Sequence, residues 1–141
     1  MQDYYKRTFF SKTDEYDFRS ETQPELVIIA LGTNDTPKYL TNGVANENIG
    51  ILKQGITNML TLVREKNPNA KILWAYGMMD VRISNVYKET VETFNQTDGN
   101  TYYTMINRND CTGAAGHPTP EGHTKNAQEY INFIDNNIWT D

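Results

Sequence analysis

Two short stretches hold residue types able to do acyl-transfer chemistry. Gly32-Thr33-Asn34-Asp35 follows an apolar run, and Gly113-Ala114-Ala115-Gly116-His117-Pro118 comes just before a helix signal. An amide side chain at a strand end donates a hydrogen bond to a developing oxyanion, and a loop imidazole takes up a proton as general base. Asn34 and His117 are therefore the candidate pair, half of an acyl-transfer site. Each stretch also has a plainer reading. Asn34-Asp35 is equally a turn that caps the next segment, since both residues bond readily to nearby backbone, and His117 is equally a solvated loop residue. His123 falls inside the last helix signal and reads as solvated or structural. The serines are Ser11, Ser20 and Ser84; none follows a strand in a nucleophile-like turn, so each reads as structural. Cys111 lacks the basic surroundings that would activate a thiol and reads as an ordinary loop cysteine.

Chemistry of this kind needs elements that bring the two loops to one place. Pro24-Glu25 opens the continuous apolar run Leu26 to Leu31, ended by Gly32, the pattern of a strand buried on both faces of a parallel sheet. From Asn46 to Lys66 the apolar residues Ile49, Leu52, Ile56, Met59, Leu60 and Val63 line one side of a helix. Asn67-Pro68-Asn69 ends it, because the residue before a proline avoids helical geometry. Lys71 to Gly77 is a second strand, with Trp74 and Tyr76 read as core. Met78-Met79-Asp80 after it either lines an acyl or sugar pocket or fills the core. Ser84 is a candidate N-cap for a helix whose Tyr87, Val91 and Phe94 share a face. After the turn Asp98-Gly99-Asn100, Thr101 to Ile106 reads as a third strand. Thr119-Pro120-Glu121 starts a last helix with a capping residue, a proline and an acid in the first turn, and its predicted stripe is Ala127, Tyr130, Ile131, Ile134 and Ile138. In open parallel sheets ligands bind beyond the carboxyl ends of the strands, which is where both candidate loops fall. The first 23 residues mix aromatics and charges without a period and read as an irregular, partly packed lead-in. The alternation over residues 24–141 predicts a single α/β unit with right-handed crossovers.

Composition narrows the classes. The chain has 141 residues, 38% hydrophobic and 22% charged, with a net charge of -5, which argues against a nucleic-acid partner and for a folded, mildly acidic domain. No apolar run approaches the roughly 20 residues that cross a bilayer, and Met1 to Lys6 holds no apolar stretch of the kind a signal peptide needs. One cysteine and two histidines make no standard zinc spacing. Neither Gly-x-Gly-x-x-Gly nor a Gly-Lys-Ser/Thr loop occurs, which weighs against a flavodoxin-like nucleotide binder.

Three ordered blocks carry a resemblance. Pro24 to Asp35, with its Gly32-Thr33-Asn34-Asp35 end, is similar to the third block of SGNH/GDSL hydrolases; Ile72 to Met79 resembles the central strand of carbohydrate esterase family two and its relatives; Gly116-His117-Pro118 before a capped helix resembles the last block. The resemblance runs from about Tyr16 to Ile134. It implies a three-layer, flavodoxin-like parallel-sheet fold, hydrolysis of small acyl esters such as acetylated carbohydrate, and no metal or organic cofactor. By that match Asn34 is the oxyanion donor and His117 the base, with Gly32, Asp35 and Asp110 as support.

Two departures shape what to expect. The family's Gly-Asp-Ser nucleophile block occurs nowhere in the sequence, and neither does its second block, so the chain reads as the C-terminal part of such a domain, lacking two strands and inactive by itself. A non-catalytic remnant that binds ligand through the strand-end cleft is the alternative. Many relatives also place an aspartate three residues before the histidine, where this chain has Ala114. The imidazole is then oriented by a backbone carbonyl or by another acid such as Asp110, a Ser-His dyad rather than a triad. With two strands missing, the Leu26 strand becomes a sheet edge open to pairing with an N-terminal segment or a second copy. Members of the family are often extracellular or on the cell surface, and nothing in this sequence fixes the compartment.

Overall fold

The apolar run that begins at Leu26 forms a strand, but a shorter one than its composition suggests. In the computed structural model, which describes residues 2–8, 13–19 and 22–140, β1 spans Leu26–Ile29. Ala30 and Leu31 leave the sheet toward the turn at Gly32. The other principal elements are α3 (Ile49–Lys66), β4 (Lys71–Gly77), α4 (Ser84–Asp98), β5 (Thr101–Ile106) and α5 (Pro120–Asn137). The three strands form one parallel sheet in the order β1-β4-β5, with Leu26 opposite Lys71 and Ile72 opposite Thr101. This is an α/β fold, a parallel sheet flanked by helices, as the alternation of strand and helix signals predicts.

Central β4 is buried from Ile72 to Gly77, which explains its continuous apolar sequence. On one face Ile72, Trp74 and Tyr76 pack with Ile29 against α3 and α4, and the core there includes Leu52, Ile56, Leu60, Val63, Tyr87 and Val91. The helical stripe of α3 is the one its spacing predicts. On the other face α5 packs across β5. Beside β1 that second face lies bare: Ile28 is 45% exposed, and the outer edge of β1 has no partner strand among the described residues. A groove of about 340 Å3 runs along this edge, walled by Val27, Ile28, Ile29 and Met59 and by Tyr4 and Tyr5 of the short helix α1 (Gln2–Tyr5).

Several expectations are corrected. Ser84 does not cap α4; it is the first helical residue, and Ile83 holds the cap position with its side chain buried in the core. Burial of Ile83 sets the entry of the chain into the helix, where a serine hydroxyl was expected to do so. The stripe of α5 is also misplaced. Gly122 and Asn126 are its buried residues, and of the predicted stripe only Ile138, just past the helix end, is buried, with Ile131 50% exposed. The helix meets the sheet through a narrow, partly polar face; Ala127 and Ile131 look outward, and Tyr130 and Ile134 are half-buried. Between β1 and α3 the chain forms α2 (Thr36–Tyr39) and a hairpin of β2 (Leu40–Thr41) and β3 (Val44–Ala45). Asn42 and Gly43 turn it with φ of 50° and 80°, the Asn-Gly signal of a tight hairpin. The lead-in is partly packed, with Tyr5 stacked on Phe18 and accepting a hydrogen bond from Asn67 Nδ2 at 2.8 Å.

At the amino ends of β4 and β5 one side chain gathers several segments. Arg64 donates to both carboxylate oxygens of Asp98, at 2.6 and 2.8 Å, and to the carbonyls of Asn67, Pro68 and Ala70. Burial pushes the Asp98 carboxyl up, but the Arg64 and Thr101 hydrogen bonds outweigh it and leave the group below its ordinary range. A carboxyl lowered on folding contributes stability that is complete above its unfolded value near pH 4 and is lost as pH falls through the folded value. Replacing Arg64 by Ala is expected to cost about 2 kcal/mol, below the range for fully buried pairs because the guanidinium keeps some solvent contact. Urea denaturation at several pH values should show that loss near neutrality and a difference from the parent that shrinks below about pH 4.

Candidate functional site

Beyond β1 the chain turns over the carboxyl edge of the sheet. Gly32 has φ 119°, and a Cβ there would lie 2.2 Å from the Tyr87 hydroxyl oxygen, so both the backbone and the space require glycine. The Asp35 N–H donates to the Gly32 carbonyl at 3.0 Å, and the Lys38 N–H donates to the Asp35 carbonyl at 3.0 Å. Asp35 thus closes the turn and opens α2 through its main chain, and its carboxylate makes no capping bond. Asn34 lies within this turn, exposed, and its carboxamide has no hydrogen-bond partner among the described residues.

Beyond β5, residues 107–119 form the second loop. Asp110, with φ 46°, accepts hydrogen bonds from the hydroxyls of Thr112, at 2.8 Å, and Thr119, while its carbonyl accepts the Thr119 N–H. These hydroxyls hold its carboxyl below the ordinary range. Thr119 in turn caps α5 by accepting the Gly122 N–H at 3.2 Å. Gly122 lets the first turn of α5 sit against the loop, since a Cβ there would lie 2.4 Å from the Asn109 carbonyl oxygen. Asn109 Nδ2 donates to Asn126 Oδ1 and Glu129 Oε1 at 2.9 and 2.7 Å, and the Asn107 N–H donates to Glu129. The loop is braced at both ends.

His117 follows the short 3-10 turn Ala114–Gly116, in which Ala115 and Gly116 adopt φ of 54° and 74°. Its Nδ1 lies 2.8 Å from the Ala114 carbonyl, which also accepts the His117 N–H at 3.2 Å. A carbonyl only accepts, so this contact puts a proton on Nδ1, and Nε2 has no hydrogen-bond partner among the described residues. Of the two orienting groups that the sequence leaves open, the backbone carbonyl holds the ring and Asp110 is engaged with the threonines. The imidazole is exposed.

The two loops leave the same edge of the sheet, with β4 between them, and Asn34 and His117 make no bond to each other. Met78 links the loop beyond β5 to the end of β4: its N–H donates to the Ile106 carbonyl at 2.9 Å, and its carbonyl accepts the Cys111 thiol at 3.1 Å. Met78 and Met79 also line a strand-end cavity of about 210 Å3 together with Leu31, Thr33 and Tyr130. Cys111 is a hydrogen-bond donor there. Ser84 is half-buried in the first turn of α4, and Ser11 and Ser20 lie outside the described residues. His123 is exposed on α5. Among the described residues no cluster of three or more His, Cys, Asp or Glu is arranged to hold a metal ion, and no helix is long and apolar enough to cross a membrane.

Residues 2–130 match the model of the GDSL-like lipase/acylhydrolase family, and the chain belongs to that family. Among solved structures it is similar to an acetyl xylan esterase from the rumen bacterium Butyrivibrio proteoclasticus, with a TM-score of 0.79 and 27% identity over 92% of this chain. A family two carbohydrate esterase from Clostridium thermocellum, solved with cellohexaose, gives a TM-score of 0.79 and 25% identity over 95% of this chain. A family two enzyme from Cellvibrio japonicus shares the fold at 18% identity and a TM-score of 0.74. The chain spans 40%, 42% and 40% of these three proteins in turn. The search among curated proteins finds no match.

The geometry at Gly32 is open to direct test. Gly32→Ala is expected to strain the turn and push on Tyr87, lowering stability by about 2–3 kcal/mol. Denaturant unfolding checks the magnitude, and near-ultraviolet circular dichroism should report the displaced tyrosine.

Proposed function

We propose that this member of the GDSL-like lipase/acylhydrolase family carries the general base and one oxyanion donor of a serine esterase acting on small acyl esters, acetylated carbohydrate foremost. The observation that carries the reading is the His117 ring held through Nδ1 at 2.8 Å by the Ala114 carbonyl, which leaves Nε2 free on a loop at the carboxyl edge of the sheet. In this role Nε2 takes the serine proton as the acyl group is attacked, returns it to the leaving alcohol, and then activates the water that releases the acid. Asn34 on the loop beyond β1 donates its amide to the tetrahedral oxyanion. Gly32 and Asp35 shape that turn, and Asp110 braces the histidine loop. The resemblance to an acetyl xylan esterase and to an enzyme solved with cellohexaose supports a carbohydrate ester as substrate.

The sequence holds no Gly-Asp-Ser, so the serine in this reading comes from residues other than these. The open edge of β1 is where its segment, or a second copy of the chain, would seat. Residues 24–141 are then the C-terminal part of the domain, with residues 1–23 as a lead-in, and the chain by itself turns over little ester. The same absence favours the second reading, a binding module that keeps the cleft without the chemistry.

The coding sequence ahead of Met1 separates the two. If it supplies Gly-Asp-Ser in frame, the extended protein should release acetate from acetylated xylo-oligosaccharide. His117→Ala should then lower kcat/KM by about 10²–10⁴-fold, and Asn34→Ala should lower kcat by about 10²–10³-fold. Oligosaccharide binding by calorimetry with no acetate release would favour the binding module. Brisk hydrolysis of an aryl acetate by the 141-residue chain, abolished in His117→Ala, would overturn the absent nucleophile and return attention to Ser84 and Cys111.

A further inference from the structure

Trp74, Tyr76 and Tyr87 pack as core residues, yet their polar atoms all reach toward the turn that carries Asn34. The Tyr76 hydroxyl and Thr36 Oγ1 lie 2.6 Å apart with both residues fully buried. Trp74 Nε1–H donates to the Leu31 carbonyl at 3.2 Å. Tyr87 stacks on Tyr76 with ring centroids 4.3 Å apart, tilts against Trp74 at 5.7 Å, and sets its hydroxyl against Gly32. Leu31 and Gly32 before Asn34, and Thr36 after it, are therefore each met by one ring rooted on β4 or α4. A core alone would be served by phenylalanine, because burying a hydroxyl costs free energy unless it is hydrogen-bonded. A threonine buried at the start of a helix in a surface loop, bonded to a tyrosine 40 positions away, serves the loop rather than the core.

We propose that Tyr76, Trp74 and Tyr87 are positioning residues that hold the turn from Leu31 to Thr36 so that Asn34 presents its amide in one fixed place, with the Tyr76–Thr36 hydrogen bond as the principal tie. The proposal rests on the reading of Asn34 as an oxyanion donor, and it gives that donor its preorganisation: a donor that must move as charge develops loses much of its effect. The rings hold the turn from beneath and leave the carboxamide of Asn34 unbonded.

The test uses the chain as it stands and needs no turnover. Tyr76→Phe and Thr36→Val each remove the bond while keeping shape, and Thr36→Ser keeps the hydroxyl. Amide hydrogen exchange by nuclear magnetic resonance is expected to show the Asp35 N–H, which closes the turn onto Gly32, exchanging about five- to tenfold faster in either deletion variant. The side-chain amide resonances of Asn34 should shift in both. Amides of β4 and β5 should change less than about twofold, the double variant should be no worse than either single one, and Thr36→Ser should match the parent. If one deletion fails to fold, the other reads the same bond. Unchanged exchange and unshifted Asn34 resonances in the folded variants would overturn the proposal, and so would a rise spread evenly over β4 and β5. Failure of the oxyanion reading is a separate result, seen as normal acetate release by the extended protein carrying Asn34→Ala.

Discussion

Gly77 ends β4 so close to β5 that a Cβ on it would lie 2.1 Å from the Ile106 carbonyl oxygen, and this approach governs how the site is laid out. With φ at 131°, Gly77 lets the two strands stay paired to their last residues, Gly77 opposite Ile106. Met78 then turns away with φ 70° while still bonding the Ile106 carbonyl. The loop beyond β5 begins at that point and is tied back by Cys111. On the other side of β4 the aromatic rings reach to the turn beyond β1. One central strand therefore sets both candidate loops, and their separation is fixed by sheet geometry and not by contact between them.

The two ends of the sheet are built differently. At the amino ends, Arg64 and Asp98 join the end of α3 to the end of α4, and Lys71 bonds the Ile138 carbonyl and lies over the Trp139 ring at 4.3 Å, closing the chain after α5. These are fixed, charge-assisted ties. At the carboxyl ends the ties run through the Asp110 and Glu129 carboxylates, which accept from loop hydroxyls and amides, through main-chain turns and through glycines placed where a Cβ would collide, while the Asn34 carboxamide has no hydrogen-bond partner among the described residues. The lateral edge is a third case. Among the described residues β1 offers its unpaired side and the exposed Ile28, whereas β5 at the other edge is packed by α4 and α5.

Much of this was legible in the residues because it depends on local pattern. The β4 run, the α3 stripe and the Thr119-Pro120-Glu121 start of α5 all announce themselves, since burial on both faces, a 3.6-residue period and a capped helix each leave a short-range mark. The hairpin at Asn42-Gly43 has a local mark as well, the Asn-Gly pair of a tight turn. The failures have a common cause. The Ala127–Ile131 face of α5 reads as core because its spacing is right, and spacing does not say whether a neighbour is present to cover it. Trp74 and Tyr76 read as core and are core; their bonds to Leu31 and Thr36 are not legible, because those partners lie 43 and 40 positions away. Thr36 likewise carries no local mark of its burial, since its partner is that distant tyrosine. What holds His117 was readable only as a choice between two groups, since a backbone acceptor carries no residue type.

A backbone acceptor is genetically robust. The acceptor for His117 Nδ1 belongs to the peptide unit of residue 114, so every residue type that tolerates the local backbone keeps it, and no substitution of the Ala114 side chain deletes it. An acid in that role is lost by a single codon change. Here the vulnerable positions move to the backbone path around the histidine. Ala115 and Gly116 hold positive φ, and Gly113 sits where a Cβ would lie 2.8 Å from the His117 carbonyl oxygen.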